Sequence, residues 1–382
     1  MRIALAAFVL QGGRTGVAAY CRNLIRALQA IDEENEYEIL LPRRDRALIE
    51  VSKPNFSVVA FPDYTANPLV SLAWHNLELP RLAGKRGYDL VHVPSYRRLP
   101  WIRGRVPVVG TVHDLAAFSV EGKYDRLRMF FNLKLVPPMI RRAAFIMTVS
   151  RFTRDDILRI ARVPAQRVRV IYSGIDHDRF RPIAPSAARA ELVKRYDLSA
   201  PFLVYVARIE HPAKGHVRLL DAFAELARER PELRLVFAGA DWHGAEVVEA
   251  RIRALGLEER VIRLGFVPEE MVPCLYSACS AMVFPSLFEG FGFPLIEAMA
   301  CGAPVACSDT SSLRELAAGL VPTFDPHQPV QILEAIRACL RTAGDEAARR
   351  ARIEYAAGFQ WARAAAEVLE VYREVGRGGG VV

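Results

Sequence analysis

Two glutamates separated by seven residues, Glu289 and Glu297, are the side chains whose type and spacing most clearly suggest chemistry. They lie in EGFGFPLIEAMACGAPV, residues 289–305, where Pro294 is favoured at the first position of a helix and Gly302 is placed to end it. The sequence therefore predicts that Glu297 lies in the first turn of a helix and that Glu289 lies on the loop before it. The amides of that loop and first turn can bind an anion, with one carboxylate on each side to accept hydrogen bonds from sugar hydroxyls. A ligand with a diphosphate in the middle and a polyol on each side is a nucleotide sugar, so the pattern indicates a nucleotide-sugar site.

Two basic residues near the start of the second half could act on the same ligand. Arg208 leaves a predicted strand at its carboxyl end, and Lys214 follows six residues later, just before a predicted helix. Two cations at the mouth of a sheet would stabilise the negative charge that grows on a departing phosphate. The alternative for this pair is two solvated surface charges.

The first half offers a Gly-rich turn and a histidine at the ends of strands. The turn QGGRTGVAAY, residues 11–20, places Gly16 at the amino terminus of a helix, where amide groups can bind an anion. Its glycines lack the G-x-G-x-x-G spacing, which argues against a dinucleotide-binding fold. His113 ends a β-branched strand in TVHDLAAF, residues 111–118, and is either a reaction-centre residue or a structural one.

Short apolar runs alternate with helix-length amphipathic stretches, and these elements must position the residues above. Over 382 residues, this alternation predicts two parallel sheets covered by helices, and therefore two domains. We predict strands at 2–8, 36–41, 57–61, 90–93, 106–112, 145–149, 167–172, 202–208, 233–238, 261–264, 281–285 and 305–308, and first-half helices near 16–30, 70–84, 123–142 and 151–161. The segment around residue 182 reads as the linker. Open α/β sheets bind ligands at the carboxyl ends of their strands, so we expect the two sheets to form a cleft there.

Residues 289–305 resemble the E-x7-E signature of the retaining family 4 (group 1) glycosyltransferases, which have the GT-B fold and include bacterial mannosyltransferases and glycogen-synthase relatives. The resemblance implies an α/β chain with two Rossmann-like, doubly wound domains that face each other across a cleft. It implies an acceptor-side domain over residues 1–182 and a donor domain over residues 183–360. It also implies a last helix, near 361–375, that crosses back onto the first domain.

The same resemblance implies roles for individual residues. The family's catalytic positions match His113, Arg208, Lys214 and Glu289. Its donor-binding positions match Gly16, Gly265, Phe266, Val267, Gly290, Phe291, Gly292, Phe293, Leu295 and Glu297. In these roles, Arg208 and Lys214 flank the diphosphate, Glu289 faces the sugar hydroxyls and Glu297 faces the ribose. Ala207 departs from the pattern, because many members have glycine at that position.

The implied reaction transfers a hexose from a nucleotide sugar to a hydroxyl with retention of anomeric configuration. Mannose from GDP-mannose is the first candidate, UDP- and dTDP-sugars remain open, and the acceptor is a glycan or a lipid-linked glycan in surface-polysaccharide or glycolipid synthesis. No metal or cofactor is expected, because two cations take the place of a metal. Two alternatives are a GT-B-fold sugar-nucleotide epimerase and a non-catalytic carbohydrate-binding relative. A phosphorylase is disfavoured, because the chain lacks the cofactor-lysine motif.

The bulk composition narrows the partners and the location. The net charge is +8 and the isoelectric point is about 9.3, which suits anionic ligands such as nucleoside diphosphates or acidic lipid. The basic residues show no aromatic-interleaved stacking motif, so no nucleic-acid partner is expected. No apolar stretch approaches the ~20 residues that span a bilayer. We therefore expect a cytoplasmic protein, at most peripheral on the inner face of the cytoplasmic membrane.

One stretch could contact such a membrane surface. Basic and apolar residues are interleaved over residues 126–142, and residues 97–103 add further members of both kinds. They could form a face that rests on anionic lipid. They could equally form an ordinary amphipathic helix whose apolar side is core. The sequence leaves both alternatives open.

Overall fold

The computed structural model describes residues 1–13, 15–102, 104–119 and 129–377. Contacts within the chain divide it into two compact units. The first contains residues 1–174 and the segment that begins at Gln360, and the second contains residues 175–359. Each unit is built on a parallel sheet with helices, so the predicted α/β class with two Rossmann-like, doubly wound sheets is confirmed.

Each sheet reverses its strand order beside its first strand. The strands are β1 (Arg2–Ala6), β2 (Glu36–Pro42), β3 (Phe56–Phe61), β4 (Leu90–Val93), β5 (Val108–Val112), β6 (Phe145–Thr148), β7 (Val168–Val170), β8 (Phe202–Val206), β9 (Arg234–Ala238), β10 (Val261–Gly265), β11 (Ala281–Phe284), β12 (Val305–Ser308) and β13 (Thr323–Phe324). The first sheet has the order β3-β2-β1-β4-β5-β6-β7, and the second has the order β10-β9-β8-β11-β12-β13. The reversals fall between β1 and β4 and between β8 and β11, and open α/β sheets bind ligands at such switch points.

Helices follow most strands, as the alternating sequence pattern requires. The α-helices with defined bounds are α1 (Gly16–Ile31), α2 (Pro68–Arg86), α3 (Val136–Arg142), α4 (Arg151–Asp156), α5 (Pro185–Tyr196), α6 (His216–Glu229), α7 (Ala245–Ala254), α8 (Val272–Ala278), α9 (Phe293–Ala300), α10 (Ser311–Ala317), α11 (Pro329–Arg341), α12 (Glu346–Ala357) and α13 (Trp361–Arg377). Two π-helical turns lie beside α3 and α4, at Phe131–Leu135 and Ile157–Ala161. Central strands read as continuous apolar runs because helices cover both faces of a parallel sheet. In β8, for example, residues 202–205 are fully buried.

Helix α13 packs within the first unit, along α1 and against β4. A buried hydrogen bond of 2.7 Å joins the Tyr372 hydroxyl to His92 Nδ1, and His92 Nε2 lies 2.8 Å from Thr111 Oγ1. Burial lowers the pKa of His92 to about 3, so its ring is neutral. The last helix is therefore fixed to the strands that lead to His113.

The start of helix α9 differs from the sequence prediction. The helix begins at Phe293, with Gly292 as its amino-terminal cap, so Pro294 is its second residue and Glu297 its fifth. The prediction that Glu297 lies in the first turn is therefore wrong. The physical reason is Gly292, whose φ of +109° lets the chain turn into the helix one residue earlier than the proline signal indicates.

The interleaved stretch near residue 130 has two kinds of apolar residue. Val136, Met139 and Ile140 are fully buried in the first core, whereas Phe130 and Leu133 are exposed. Residues 120–128 and Arg103 lie outside the described residues. Within the described part of the chain, no helix is long and apolar enough to cross a membrane.

Candidate active site

The carboxyl edge of the second sheet gathers the residues that the sequence singled out in that unit. Arg208 and Lys214 lie on the loop that follows β8, and Glu289 lies on the loop that follows β11. These two strands are neighbours at the switch point of the sheet. Since parallel strands end at the same edge, residues separated by 75 positions meet there.

Lys214 and Glu289 form a partly buried ion pair. The Lys214 Nζ lies 2.7 Å from Glu289 Oε1, and the two side chains keep only 18% and 15% of their surface exposed. A charge-assisted hydrogen bond of this kind is stronger than a neutral one, and removal of one partner leaves a partly buried charge unpaired. Lys214 has two further N–H donors, which are available to an anion at this edge.

The Lys214 loop is held in place by neutral contacts. The Tyr205 hydroxyl donates to the Lys214 carbonyl oxygen at 2.9 Å and hydrogen-bonds to Ser286 Oγ at 2.9 Å. Gly215 has a φ of +70°, and a Cβ there would lie 2.1 Å from the Pro285 carbonyl oxygen. Only glycine allows this approach, so the loops after β8 and β11 are packed directly against each other.

Helix α10 supports the Glu289 loop from its other side. The Glu289 amide donates to Ser311 Oγ at 3.0 Å. The Ser312 hydroxyl lies 2.9 Å and 2.6 Å from the carbonyl oxygens of Glu289 and Phe291, and is itself fully buried. Neither serine was predicted from the sequence. A signal was present, since they follow the carboxyl end of β12 at the same edge of the sheet.

Arg208 has a different set of partners. Its Nε donates to Glu210 Oε2 at 2.8 Å, and its guanidinium carbon lies 5.3 Å from the centre of the Trp242 ring. Among the described residues, Arg208 makes no hydrogen bond to Lys214 or Glu289. The structure therefore places both predicted cations at one edge but holds them by separate contacts.

Glu297 is a half-buried carboxyl group on α9. Burial raises its pKa to about 8, and the Glu269 carboxylate adds to the rise. The Tyr276 hydroxyl, 3.5 Å from Glu297 Oε2, and the Arg179 charge oppose it. Near neutral pH, this carboxyl is therefore mostly protonated.

The remaining donor-binding predictions concern backbone and exposed groups. In the described part of the chain, the amides of Gly290 and Gly292 have no hydrogen-bond partner, whereas the Leu295 amide donates to the Gly292 carbonyl at 3.0 Å. The Phe291 ring is buried against Phe293, with ring centres 5.0 Å apart. Phe291 and Leu295 could therefore meet a ligand only through their backbones.

The last residue of β10 and the two that follow it are the remaining three of these residues. Gly265 has a φ of +65°, with open space beside it, and Val267 is buried. Phe266 between them is 68% exposed. Its ring is therefore open to solvent just beyond the carboxyl end of β10, which is the neighbour of β9 at the edge of the sheet.

In the first unit, His113 and Gly16 lie at the ends of neighbouring elements. His113 follows β5, and its Nε2 lies 3.1 Å from the carbonyl oxygen of Pro94, the residue after β4. Burial lowers the pKa of His113 to about 4, so the ring is neutral, Nε2 donates to that carbonyl, and Nδ1 is left as an acceptor. The Tyr20 ring packs edge-on against it at 4.7 Å. Gly16 is the exposed first residue of α1, the helix that also contains Tyr20.

Comparison with known proteins identifies the family of the chain. The family model described as "Glycosyl transferases group 1" matches residues 190–358, and the one described as "Glycosyltransferase Family 4" matches residues 14–179. A D-inositol 3-phosphate glycosyltransferase of Saccharomonospora viridis is 30% identical over 318 residues, which cover 75% of this chain and 70% of that relative. The chain belongs to glycosyltransferase family 4.

Two further proteins are similar to this family 4 glycosyltransferase over nearly its whole length. An O-antigen chain mannosyltransferase B of Escherichia coli is 28% identical over 390 residues, with 98% of this chain and 100% of that relative covered. A crystal structure of HepE from Anabaena in complex with UDP-glucose superposes with a TM-score of 0.76 at 22% identity, and covers 98% and 100% of the two chains. The structural similarity confirms the GT-B fold that the sequence resemblance implied.

Over residues 1–13, 15–102, 104–119 and 129–377, no group of three or more His, Cys, Asp or Glu side chains is arranged to hold a metal ion. The Lys214–Glu289 and Arg208–Glu210 pairs are among the charged groups at the edge of the second sheet.

Proposed function

We propose that this glycosyltransferase moves a hexose from a nucleoside diphosphate to a hydroxyl of a glycan or lipid-linked acceptor, with retention of configuration. The observation that carries the proposal is the Lys214–Glu289 pair at the switch point of the second sheet. It combines a cation for phosphate oxygens with a carboxylate for sugar hydroxyls. The proposal assigns donor binding to the second unit and acceptor binding to the first.

In the proposed reaction, the bond between the anomeric carbon and the phosphate oxygen breaks, and a bond from the acceptor oxygen to the same face of that carbon forms. The acceptor proton passes to the departing phosphate. Lys214 and Arg208 stabilise the charge that grows on this phosphate, which is the kind of interaction that accelerates a reaction most. Nδ1 of the neutral His113 has no hydrogen-bond partner among the described residues, and the proposal assigns it a hydrogen bond from the transferred sugar.

The first donor to test is GDP-mannose. The E. coli relative of similar length is named as a mannosyltransferase of O-antigen synthesis, and this supports mannose and a surface-polysaccharide acceptor. The Anabaena structure in complex with UDP-glucose supports a nucleotide-sugar donor and keeps uridine as a candidate base. UDP- and dTDP-sugars are the next donors to test.

The test begins with thermal unfolding in the presence of GDP, UDP, ADP and dTDP and their sugars. A ligand that binds only the native state at a hundredfold excess over Kd adds about 2.7 kcal/mol of stability. The donor found in this way is then incubated with glycan acceptors, and the anomeric configuration of the product is read by NMR. Absence of any nucleotide-dependent shift, or an inverted product, would contradict the proposal.

Matched variants show whether the central pair acts as proposed. Lys214→Met keeps most of the side-chain volume but removes the charge, and Glu289→Gln keeps one acceptor oxygen. We expect each to reduce transfer by at least about a hundredfold, the scale seen when one charge-stabilising group is lost. Lys194→Met changes an exposed lysine of α5 in the same unit and should leave transfer unchanged. Near-native turnover by Lys214→Met would contradict the role of Lys214.

The alternatives give different outcomes in the same assays. An epimerase would convert the donor sugar without any acceptor. A non-catalytic carbohydrate-binding relative would bind ligand without turnover, and the Lys214→Met variant would lose binding only. Acceptor-dependent release of nucleoside diphosphate separates the proposed transferase from both.

A membrane-bound acceptor is the form that the surface of the first unit favours. Among the residues that the structure describes in this unit, the large exposed apolar ones other than Ile31 lie between residues 64 and 133: Tyr64, Leu69, Val70, Leu77, Ile102, Phe130 and Leu133. An exposed apolar set on a chain of net charge +8 suits the surface of an anionic bilayer. We expect flotation with anionic but not neutral vesicles, and loss of flotation in Leu69→Ser/Leu77→Ser but not in Val330→Ser, a substitution in the second unit. Equal flotation of the Leu69→Ser/Leu77→Ser and Val330→Ser variants would contradict membrane binding through these exposed residues.

A further inference from the structure

The loops after β8 and β9 are joined beyond the ends of their strands. Ile209 and Asp241 form a parallel bridge, and the Trp242 amide donates to the Ile209 carbonyl oxygen at 2.9 Å. Closer to the strands, a Cβ on Gly239 would lie 2.0 Å from the Ala207 carbonyl oxygen, so only glycine permits this approach. The backbone therefore fixes the position of Trp242 beside Arg208.

Two side chains then hold the Arg208 guanidinium from different directions. Glu210, whose side chain is 10% exposed, accepts from Nε at 2.8 Å. The Trp242 indole lies 5.3 Å below the guanidinium carbon, within the range of a cation–π contact. Arg208 itself stays 46% exposed. Its Nε is thus engaged, while its two terminal amino groups have no acceptor within the described part of the chain.

We propose that Glu210 and Trp242 are positioning residues that aim the terminal amino groups of Arg208 at the phosphate of the leaving nucleoside diphosphate. This inference rests on the proposed function and adds two residues to it. A free arginine side chain samples many rotamers, whereas a guanidinium held at Nε and at one face presents its remaining donors in a fixed fork. Fixed donors cost no reorganisation when charge grows on the phosphate.

The rival role for Trp242 is direct stacking against the ligand. The residue is 52% exposed, so a base or sugar ring could lie against the part of the indole that Arg208 leaves uncovered. The two roles differ in their dependence on Arg208. A positioning role disappears when Arg208 is removed, whereas a stacking role remains.

A double-mutant cycle on the full chain separates the two roles. Affinity for GDP and UDP is measured for the native protein, Trp242→Leu, Arg208→Gln and the double variant. We expect Trp242→Leu to weaken binding of the cognate diphosphate by about tenfold, as for loss of a cation–π contact. In the Arg208→Gln background, the same substitution should change it by less than about twofold, since coupled residues are not additive.

Three further variants complete the test. Trp242→Phe keeps an aromatic face and should restore most of the affinity, Glu210→Ala should weaken it only when Arg208 is present, and Val330→Ala is a control at an exposed apolar residue of the same unit. An equal loss from Trp242→Leu in both backgrounds, or no loss in either, overturns the positioning role. Unchanged affinity in Arg208→Gln, or no binding of either nucleotide to the native protein, instead overturns the role given to Arg208 in the proposed function, and the inference with it.

Discussion

The protonation state of Glu297 predicts that nucleotide binding releases a proton. Burial raises the pKa of this carboxyl from 4.5 to about 8, and the charge on Glu269 adds to the rise. At pH 7, a group with a pKa of about 8 is about nine-tenths protonated. If the ribose diol of the donor binds here, its two hydroxyls donate to the carboxylate, which favours the ionised form and lowers the pKa. Binding should therefore expel the proton.

The size of the effect follows from the two pKa values. If the bound carboxyl returns near its ordinary value, about 0.9 proton leaves per nucleotide at pH 7. Affinity should then rise by up to about tenfold per pH unit between about pH 5 and pH 8 and level off above that. Isothermal calorimetry at pH 7 in MOPS and in Tris, which differ in protonation enthalpy, measures the number of protons directly. Glu297→Gln should still bind, with almost no proton released.

Glu297 should also make the free energy of unfolding depend on pH in the absence of ligand. Between about pH 4.5 and pH 8, native Glu297 keeps a proton that the unfolded chain has lost, so the free energy of unfolding falls as pH rises through this window. Glu269→Gln removes one cause of the raised pKa and should reduce proton release without removing the carboxyl. Release below about 0.2 proton from the native protein, or equal release from Glu297→Gln, refutes the reasoning.

Three other predictions test the supports of the site. Gly215→Ala should lower the free energy of unfolding by at least about 2 kcal/mol more than Gly256→Ala in urea titrations, because both have positive φ but only the first would clash. Since burial keeps His113 neutral with a pKa of about 4, kcat at saturating donor should show no inflexion near pH 6.5, and His113→Gln should keep the shape of the pH profile. Tyr372→Phe removes the hydroxyl 2.7 Å from buried His92 Nδ1 and should cost about 1–3 kcal/mol, measured as a shift of the urea midpoint of the first unit.

The strands could be predicted from sequence because a buried parallel strand is a continuous apolar run. Strands β4 and β12 have the predicted bounds, and other predicted strands differ by one or more residues at their ends. The two-residue strand β13 was missed, since so short a segment has no periodicity to detect. Residues at the carboxyl ends of strands, such as Arg208 and Glu289, could be placed at the site because parallel strands end at one edge.

The contacts that hold the site could not be predicted. The early start of α9 depends on the φ of Gly292, which no pattern of apolar residues specifies. The support from Ser312 to the Glu289 loop spans 23 positions, and the contact between Trp242 and Arg208 depends on which strands are neighbours. A local sequence pattern indicates which residue types lie at an edge of the sheet. Tertiary pairing decides which of them touch.

The two loops that carry Lys214 and Glu289 are held by contacts other than their ion pair, so the charges can be tested apart from the fold. The Lys214 loop is fixed by Tyr205 and by the close approach at Gly215, and the Glu289 loop by Ser311 and Ser312, all through hydroxyl or backbone groups. None of these contacts depends on the Lys214–Glu289 ion pair. Removal of either charge should therefore leave both loops in place, and loss of transfer in Lys214→Met would report the charge and not a collapsed loop. A native circular dichroism spectrum and cooperative unfolding of Lys214→Met, together with lost transfer, is the result that this architecture requires, and the unpaired Glu289 should lower the melting temperature without disrupting the fold.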